Sequence, residues 1–140
     1  MSVDDHPLTP SDVGRVELSV PAEAQYASTV RTMAAALGSD AGFSIDELDD
    51  IRLALSEVFS GLTDDAVEGA HTDTRVHLSF AIGQASIRID VRTDDDATNI
   101  DLDELALGIL RSVTDAVEIT STAVVLVKHA TEAAAGSTRS

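Results

Sequence analysis

Two hydrophobic periods alternate along the chain. Residues 15–20 (RVELSV) alternate polar and apolar, which predicts a strand with Val16, Leu18 and Val20 on one face. Pro21 can open a helix. Over residues 22–37, Tyr26, Val30, Met33, Ala34 and Leu37 recur at helical spacing, and Gly38 is the expected stop. Ser44-Ile45-Asp46-Glu47 is a capping box, in which each side chain satisfies a backbone N–H that the first helical turn leaves free. It opens a second helix with an apolar stripe of Ile45, Leu48, Ile51, Leu55, Val58, Phe59 and Leu62. Gly61 and Asp64-Asp65 are expected to weaken its far end. Residues 74–81 and 85–91 read as strands, with Val76, Leu78 and Phe80, then Ile87, Ile89 and Val91, facing inward. A turn at Ile82-Gly83-Gln84 makes them a hairpin. A polar connection over 92–101 leads to a third helix at 102–114, with Leu102, Leu105, Ile109, Leu110 and Val113 aligned. Strands at 116–120 and 123–128 flank Ser121-Thr122 as a last hairpin.

The order β-α-α-β-β-α-β-β predicts an α+β fold: a two-layer sandwich with a mixed, mostly antiparallel sheet and three helices on one face. The domain is expected over 15–129, between a flexible leader (1–14, broken by Pro7, Pro10 and Gly14) and a flexible tail (130–140). Aromatic residues are 3% of the 140, so the core has to be aliphatic and Ala-rich. With no Cys there are no disulfides and no thiolate metal sites. The acidic N-terminus lacks a signal peptide's apolar core, and no run is long enough to span a bilayer, so a cytoplasmic protein is expected. The net charge is −16, and Lys128 is the single lysine. Nucleic-acid binding needs a basic footprint that this sequence does not carry. The acidic excess serves solubility, steering toward a basic partner, or adaptation to salt. His6, His71, His77 and His129 have no metal-ligand spacing.

The element order, together with LALSEVFSGL at 53–62, resembles the anti-sigma-factor serine kinases of the GHKL ATPase superfamily. The similarity runs over about residues 15–129. VELSVPAEAQYASTVR (16–31) looks like that family's first strand, its Pro and the start of its first helix. DELDDIRLALSEVFSGL (46–62) looks like its second helix, and LALGILRSVTDAVEI (105–119) like its late helix and following strand. The resemblance implies the Bergerat, histidine-kinase-like ATPase fold. It also implies a protein that holds a sigma factor away from RNA polymerase and phosphorylates an antagonist protein with Mg-ATP.

That chemistry rests on three motifs in the family. The first, Glu-Ala-x-x-Asn-Ala, puts a general base and an Asn ligand for Mg²⁺ on one face of the second helix. Here it reads Glu57-Val58-Phe59-Ser60-Gly61-Leu62: the base matches at Glu57, and the metal ligand is Gly61, which has no side chain. The other reading of Glu57 is an ordinary helix carboxylate. The second motif, Asp-x-Gly-x-Gly, binds adenine. Its place is taken by the Asp run at 92–98, with Asp94 matching after a one-residue shift or Thr93 without it, and no Gly in either register. The third, Gly-Leu-Gly-Leu, lets backbone N–H groups reach phosphate. Here it is Glu104-Leu105-Ala106-Leu107, with the leucines kept for packing and Gly108 offset. Thr122 matches a family Thr near the final hairpin.

All three motifs depart from the family at the atoms that would touch Mg-ATP, while the apolar pattern persists. The resulting expectation is a regulator that sequesters a sigma factor by protein binding, without kinase activity and without a cofactor or metal. One alternative is a divergent serine/threonine kinase that binds Mg-ATP and uses Glu57. The other is a non-catalytic dimerisation partner of an active homologue. Expected partners are a sigma factor and an antagonist, with a homodimer possible in this family. The start of the family's first helix contributes to sigma contact. Glu23 matches an acidic position there and Arg31 a basic position common on that helix, whereas the family's Arg four residues after the acidic position is Ala27 here. The other readings are a first-turn acid favoured by the helix dipole for Glu23 and a solvated face for Arg31.

Overall fold

The computed structural model describes residues 14–69, 75–93, 100–120 and 122–131, the side chains of 62–69 excepted. In chain order the elements are β1 (Gly14–Pro21), a 3₁₀ turn (Ala24–Tyr26), α1 (Ala27–Asp40), α2 (Ile45–Gly69), β2 (Arg75–Gly83), β3 (Ser86–Thr93), α3 (Glu104–Val113), β4 (Ala116–Ile119) and β5 (Ala123–His129). The strands form one sheet in the order β1-β2-β3-β5-β4, with every pair antiparallel. The α+β sandwich expected from the pattern is the observed architecture.

Register follows from the alternation. Val16, Phe80, Ile89, Leu126 and Val117 lie in one cross-strand row, and Leu18, Leu78, Val91, Val124 and Ile119 in the next. On the inner strands these side chains are buried to 2% exposure or less, beneath the helices. The other face carries Arg15, Glu17, Ser79, Arg88 and Asp90. A one-residue slip would exchange the two sets, so burial of one face fixes the pairing.

Several boundaries differ from the sequence reading. Residues 22–23 are not helical, and α1 starts at Ala27. Gly38 does not end α1; it is buried, and a Cβ there would lie 2.7 Å from Leu48 Cδ2 and 3.5 Å from Ile51 Cδ1, so its missing side chain makes room for α2. The stop is Gly42 at φ +96°. Its N–H donates to Ser39 O (3.1 Å) and that of Phe43 to Gly38 O (3.1 Å), while the buried Phe43 closes the turn. Helix α2 passes through Gly61 to Gly69. Ile45 is 76% exposed and Leu105 is 74% exposed, so neither packs. Ile45 lies about a third of a turn from Ile51 at the centre of the stripe, and Leu105 about a quarter of a turn from Ala106 in the buried line of α3. The β2–β3 turn falls one residue later than expected, on Gln84-Ala85, because Ile82 stays in the ladder opposite Ile87.

The capping box forms as expected: Ser44 N–H donates to Glu47 Oε1 (2.8 Å) and Glu47 N–H to Ser44 Oγ (3.2 Å). Glu47 does more than cap. It is buried, and its Oε2 accepts from Thr131 N–H (2.7 Å), tying the chain after β5 to the start of α2. Burial pushes this carboxyl up, but the N–H and hydroxyl groups of Ser44 and Thr131 together outweigh burial and hold it below its ordinary value of 4.5. Ala130 N–H donates to Ala85 O (2.8 Å), so the fold extends to 131. Most of the leader and tail, with His6 and His71, lie outside the described residues.

Candidate functional site

Helices α2 and α3 run antiparallel, and two contacts define how they meet. At one end Lys128 Nζ reaches from β5 to Val113 O (2.8 Å), at the last residue of α3, and to Asp50 Oδ2 (3.4 Å) on α2. A cation at the carboxyl end of a helix is favoured by the helix dipole. At the other end Gly61 meets the segment that leads into α3.

Between the helices at this second end is an open cleft of about 240 Å³. Glu57, Ser60 and Gly61 line it from α2, and Asp101, Leu102, Asp103 and Ala106 from the other side. Glu57 immediately precedes the buried Val58, so it sits on the flank of the buried stripe and is half-buried. Gly61, one helical turn further, shares that face. A Cβ on Gly61 would lie 2.9 Å from Asp101 O and 3.0 Å from Leu102 Cδ2. The Asp101 carbonyl and the Leu102 side chain therefore occupy the space that a side chain at 61 would need.

The first turn of α3 is closed in a comparable way. Asp103 is its N-cap, with extended backbone, and its carboxylate accepts from Ala106 N–H at 2.8 Å. Glu104 follows in the first turn, exposed, where a negative charge suits the helix dipole. Asp103 was not singled out from the sequence, although an Asp just before an Asp/Glu-started apolar run is a helix-start signal. Asp101 gave no such signal, because filling a glycine notch is a tertiary contact; Leu102, expected in the stripe of a helix starting at 102, lies ahead of α3.

The resemblance implies a Mg-nucleotide at this place, and the residues present do not fit one. Position 61 has no side-chain oxygen to give a metal, and the space of a side chain there is taken by Asp101 O. The N-terminus of α3 donates to its own carboxylate, and Asp101, Asp103 and Glu57 would face phosphate with like charge. Among the described residues no three His, Cys, Asp or Glu side chains form a group able to hold a metal. Gly108 is not a close-approach glycine; a Cβ there meets nothing within 4 Å.

Of the sequence candidates, Glu57, Gly61 and Ala106 line the cleft, and Glu104 is next to it in the chain. Asp94 lies outside the described residues. Thr93 and Thr122 meet at the end of β3, where Thr93 N–H donates to Thr122 O (3.3 Å). Glu23 and Arg31 do not line the cleft. Glu23 is exposed ahead of α1 and accepts from Gln25 Nε2 (3.2 Å). Arg31 is half-buried and donates to Ser56 Oγ (3.3 Å), which joins α1 to α2. No helix among the described residues is long and apolar enough to cross a membrane.

Comparison with known proteins agrees with this architecture. Over 91 residues the chain is 23% identical to Serine-protein kinase RsbW of Bacillus cereus (strain AH187), covering 65% of this chain and 54% of the relative. The RsbW proteins of Bacillus thuringiensis (strain Al Hakam) and Bacillus anthracis (strain CDC 684 / NRRL 3495) match to the same extent. The chain thus spans about half the length of these curated relatives. Residues 20–128, which run from the end of β1 nearly to the end of β5, match the model of the histidine kinase-like ATPase domain, and the chain belongs to that family.

Proposed function

We propose that this protein is a regulator of the anti-sigma kind that acts in the cytoplasm by protein binding alone. It covers the surface of a sigma factor that RNA polymerase needs, and an antagonist protein frees the sigma factor by competing for the same surface. The observation that carries the non-catalytic part is the Gly61 notch, filled by Asp101 O where the family's metal ligand would stand. The regulatory part is supported by similarity to Serine-protein kinase RsbW, whose name states a kinase activity that is not carried over to this chain. Glu23, exposed at the entrance to α1, is the residue we assign to partner contact. Arg31, held by Ser56, contributes by fixing α1 on α2.

The test combines thermal unfolding with binding. Millimolar ATP, ADP or GTP, with or without Mg²⁺, is expected to leave Tm unchanged. A ligand at about 100 times its Kd would add roughly 2.7 kcal/mol, a readable shift. Purified protein mixed with the sigma factors of its source organism is expected to capture one of them without nucleotide, and Glu23→Lys to weaken that capture. A Mg-dependent shift with ATP overturns the non-catalytic reading, and failure to bind any sigma factor overturns the regulatory one.

A second reading is favoured by Glu57, which lines the cleft and whose carboxylate makes no hydrogen bond or ion pair among the described residues. In it the chain is a divergent serine/threonine kinase with Glu57 as base. Phosphate transfer to an antagonist, abolished by Glu57→Gln, is the result that would establish it.

A further inference from the structure

We propose that residues 100–103 form a ligand-independent latch that fixes α3 on α2, with Gly61 as its socket and Asp103 as its internal anion. The inference concerns how the amino end of α3 is held against α2 and does not depend on the identity of any partner.

Three contacts make the latch. Ile100 is 6% exposed and anchors the segment in the core. Asp101 O and Leu102 then press on Gly61, where a Cβ would come within 2.9 and 3.0 Å of them. The nearer neighbour is backbone, which cannot turn aside as a side-chain tip can. Asp103 completes the set: its carboxylate accepts from Ala106 N–H at 2.8 Å. The amino end of a helix attracts anions because its first N–H groups are unpaired. Here a covalently attached carboxylate has that role, and it is present at every moment.

The missing side chain at 61 and the closeness of 101–102 are therefore one feature. Restoring the family's Asn at this position does not rebuild a metal site. It forces the latch open, because the larger side chain needs the space that the Asp101 carbonyl holds.

Full-length Gly61→Ala, Gly61→Asn, Leu102→Ala, Asp103→Ala and the Gly61→Ala/Leu102→Ala double variant test this by thermal unfolding and amide hydrogen exchange. Alanine normally stabilises a helix relative to glycine. Gly61→Ala is nevertheless expected to lower Tm by roughly 3–8 °C. Gly61→Asn is expected to lower it further and to show no Tm shift with Mg-ATP. Both Gly61→Ala and Asp103→Ala are expected to speed exchange of the first amides of α3 by about tenfold or more. Leu102→Ala removes one of the two obstacles, so the double variant loses less than the sum of the single losses. This cycle decides the matter even where Gly61→Asn does not fold. The latch is overturned if Gly61→Ala raises Tm, if the losses are strictly additive, or if Gly61→Asn gains Mg-ATP binding. A wild-type protein that binds Mg-ATP would instead overturn the functional reading.

Discussion

The start of α2 and its Gly61 end are secured by opposite means. At the start, side chains do the holding. Ser44 and Glu47 cap each other, Glu47 reaches Thr131, and Asp50 shares Lys128 with the end of α3. At Gly61 the missing side chain does it, by letting a neighbouring backbone approach. The first arrangement is polar and titratable; the second is steric and indifferent to pH. Helix termini need partners for their free N–H groups, so polar residues collect there. Within the helix the ladder is already complete, and what varies is how near another element can come.

The comparison is broken most severely at Glu47. Truncation to Ala leaves the Ser44 and Thr131 N–H groups without their acceptor, at a cost of about 3 kcal/mol. Urea unfolding at neutral pH checks this. Acid sharpens it. The carboxyl is held below its ordinary value of 4.5 in the fold, so its contribution is complete above that value and is lost as pH falls through the lowered one. The stability gap between wild type and Glu47→Gln should be flat at neutral pH and narrow below about pH 4.5. A gap that widens with acid would contradict the assignment. Gly61→Ala, by contrast, should show a Tm deficit that does not change with pH.

Lys128→Met comes next. It removes the cation from the end of α3 and leaves Asp50, whose side chain is 42% exposed, free to turn to water. The expected loss is about 1–2 kcal/mol, smaller than at Glu47 because solvent can replace part of what is removed. Equal losses at the two positions would mean that the ion pair and the cap contribute alike, against their difference in burial.

These two kinds of contact also explain how far the sequence could be read. Element order, the inward faces of β2 and β3 and the capping box are local or periodic, and they stood out from residue spacing. The family motifs pointed to Glu57 and Gly61, and both line the cleft. The role of Gly61 as a socket was not visible, because the atoms that fill it belong to Asp101 and Leu102, about forty positions away, and spacing assigns Leu102 to the apolar stripe of α3 without showing what it meets. Gly38 reads as a stop for the same reason: spacing shows that a glycine is present, and only the packed neighbour shows whether it ends a helix or admits one. Ile45 and Leu105 failed in the other direction, as apolar residues at plausible spacing that point away from the core.

Gly108 gives the smallest effect and the cleanest control for the comparison. Like Gly61 it lies in a helix, but a Cβ there meets nothing within 4 Å, and the residue is exposed. The two glycines therefore differ in surroundings and not in secondary structure. With no neighbour to displace, Gly108→Ala should show helix propensity alone and stabilise by somewhat under about 1 kcal/mol, raising Tm by roughly 2–4 °C. Opposite signs at 61 and 108, measured in one buffer by one thermal scan, would separate the steric cost of filling the socket from the ordinary gain of replacing a helical glycine. Equal gains at both would mean that 101–102 yields without cost, and α3 would then be no more firmly held at its amino end than any solvent-exposed helix terminus.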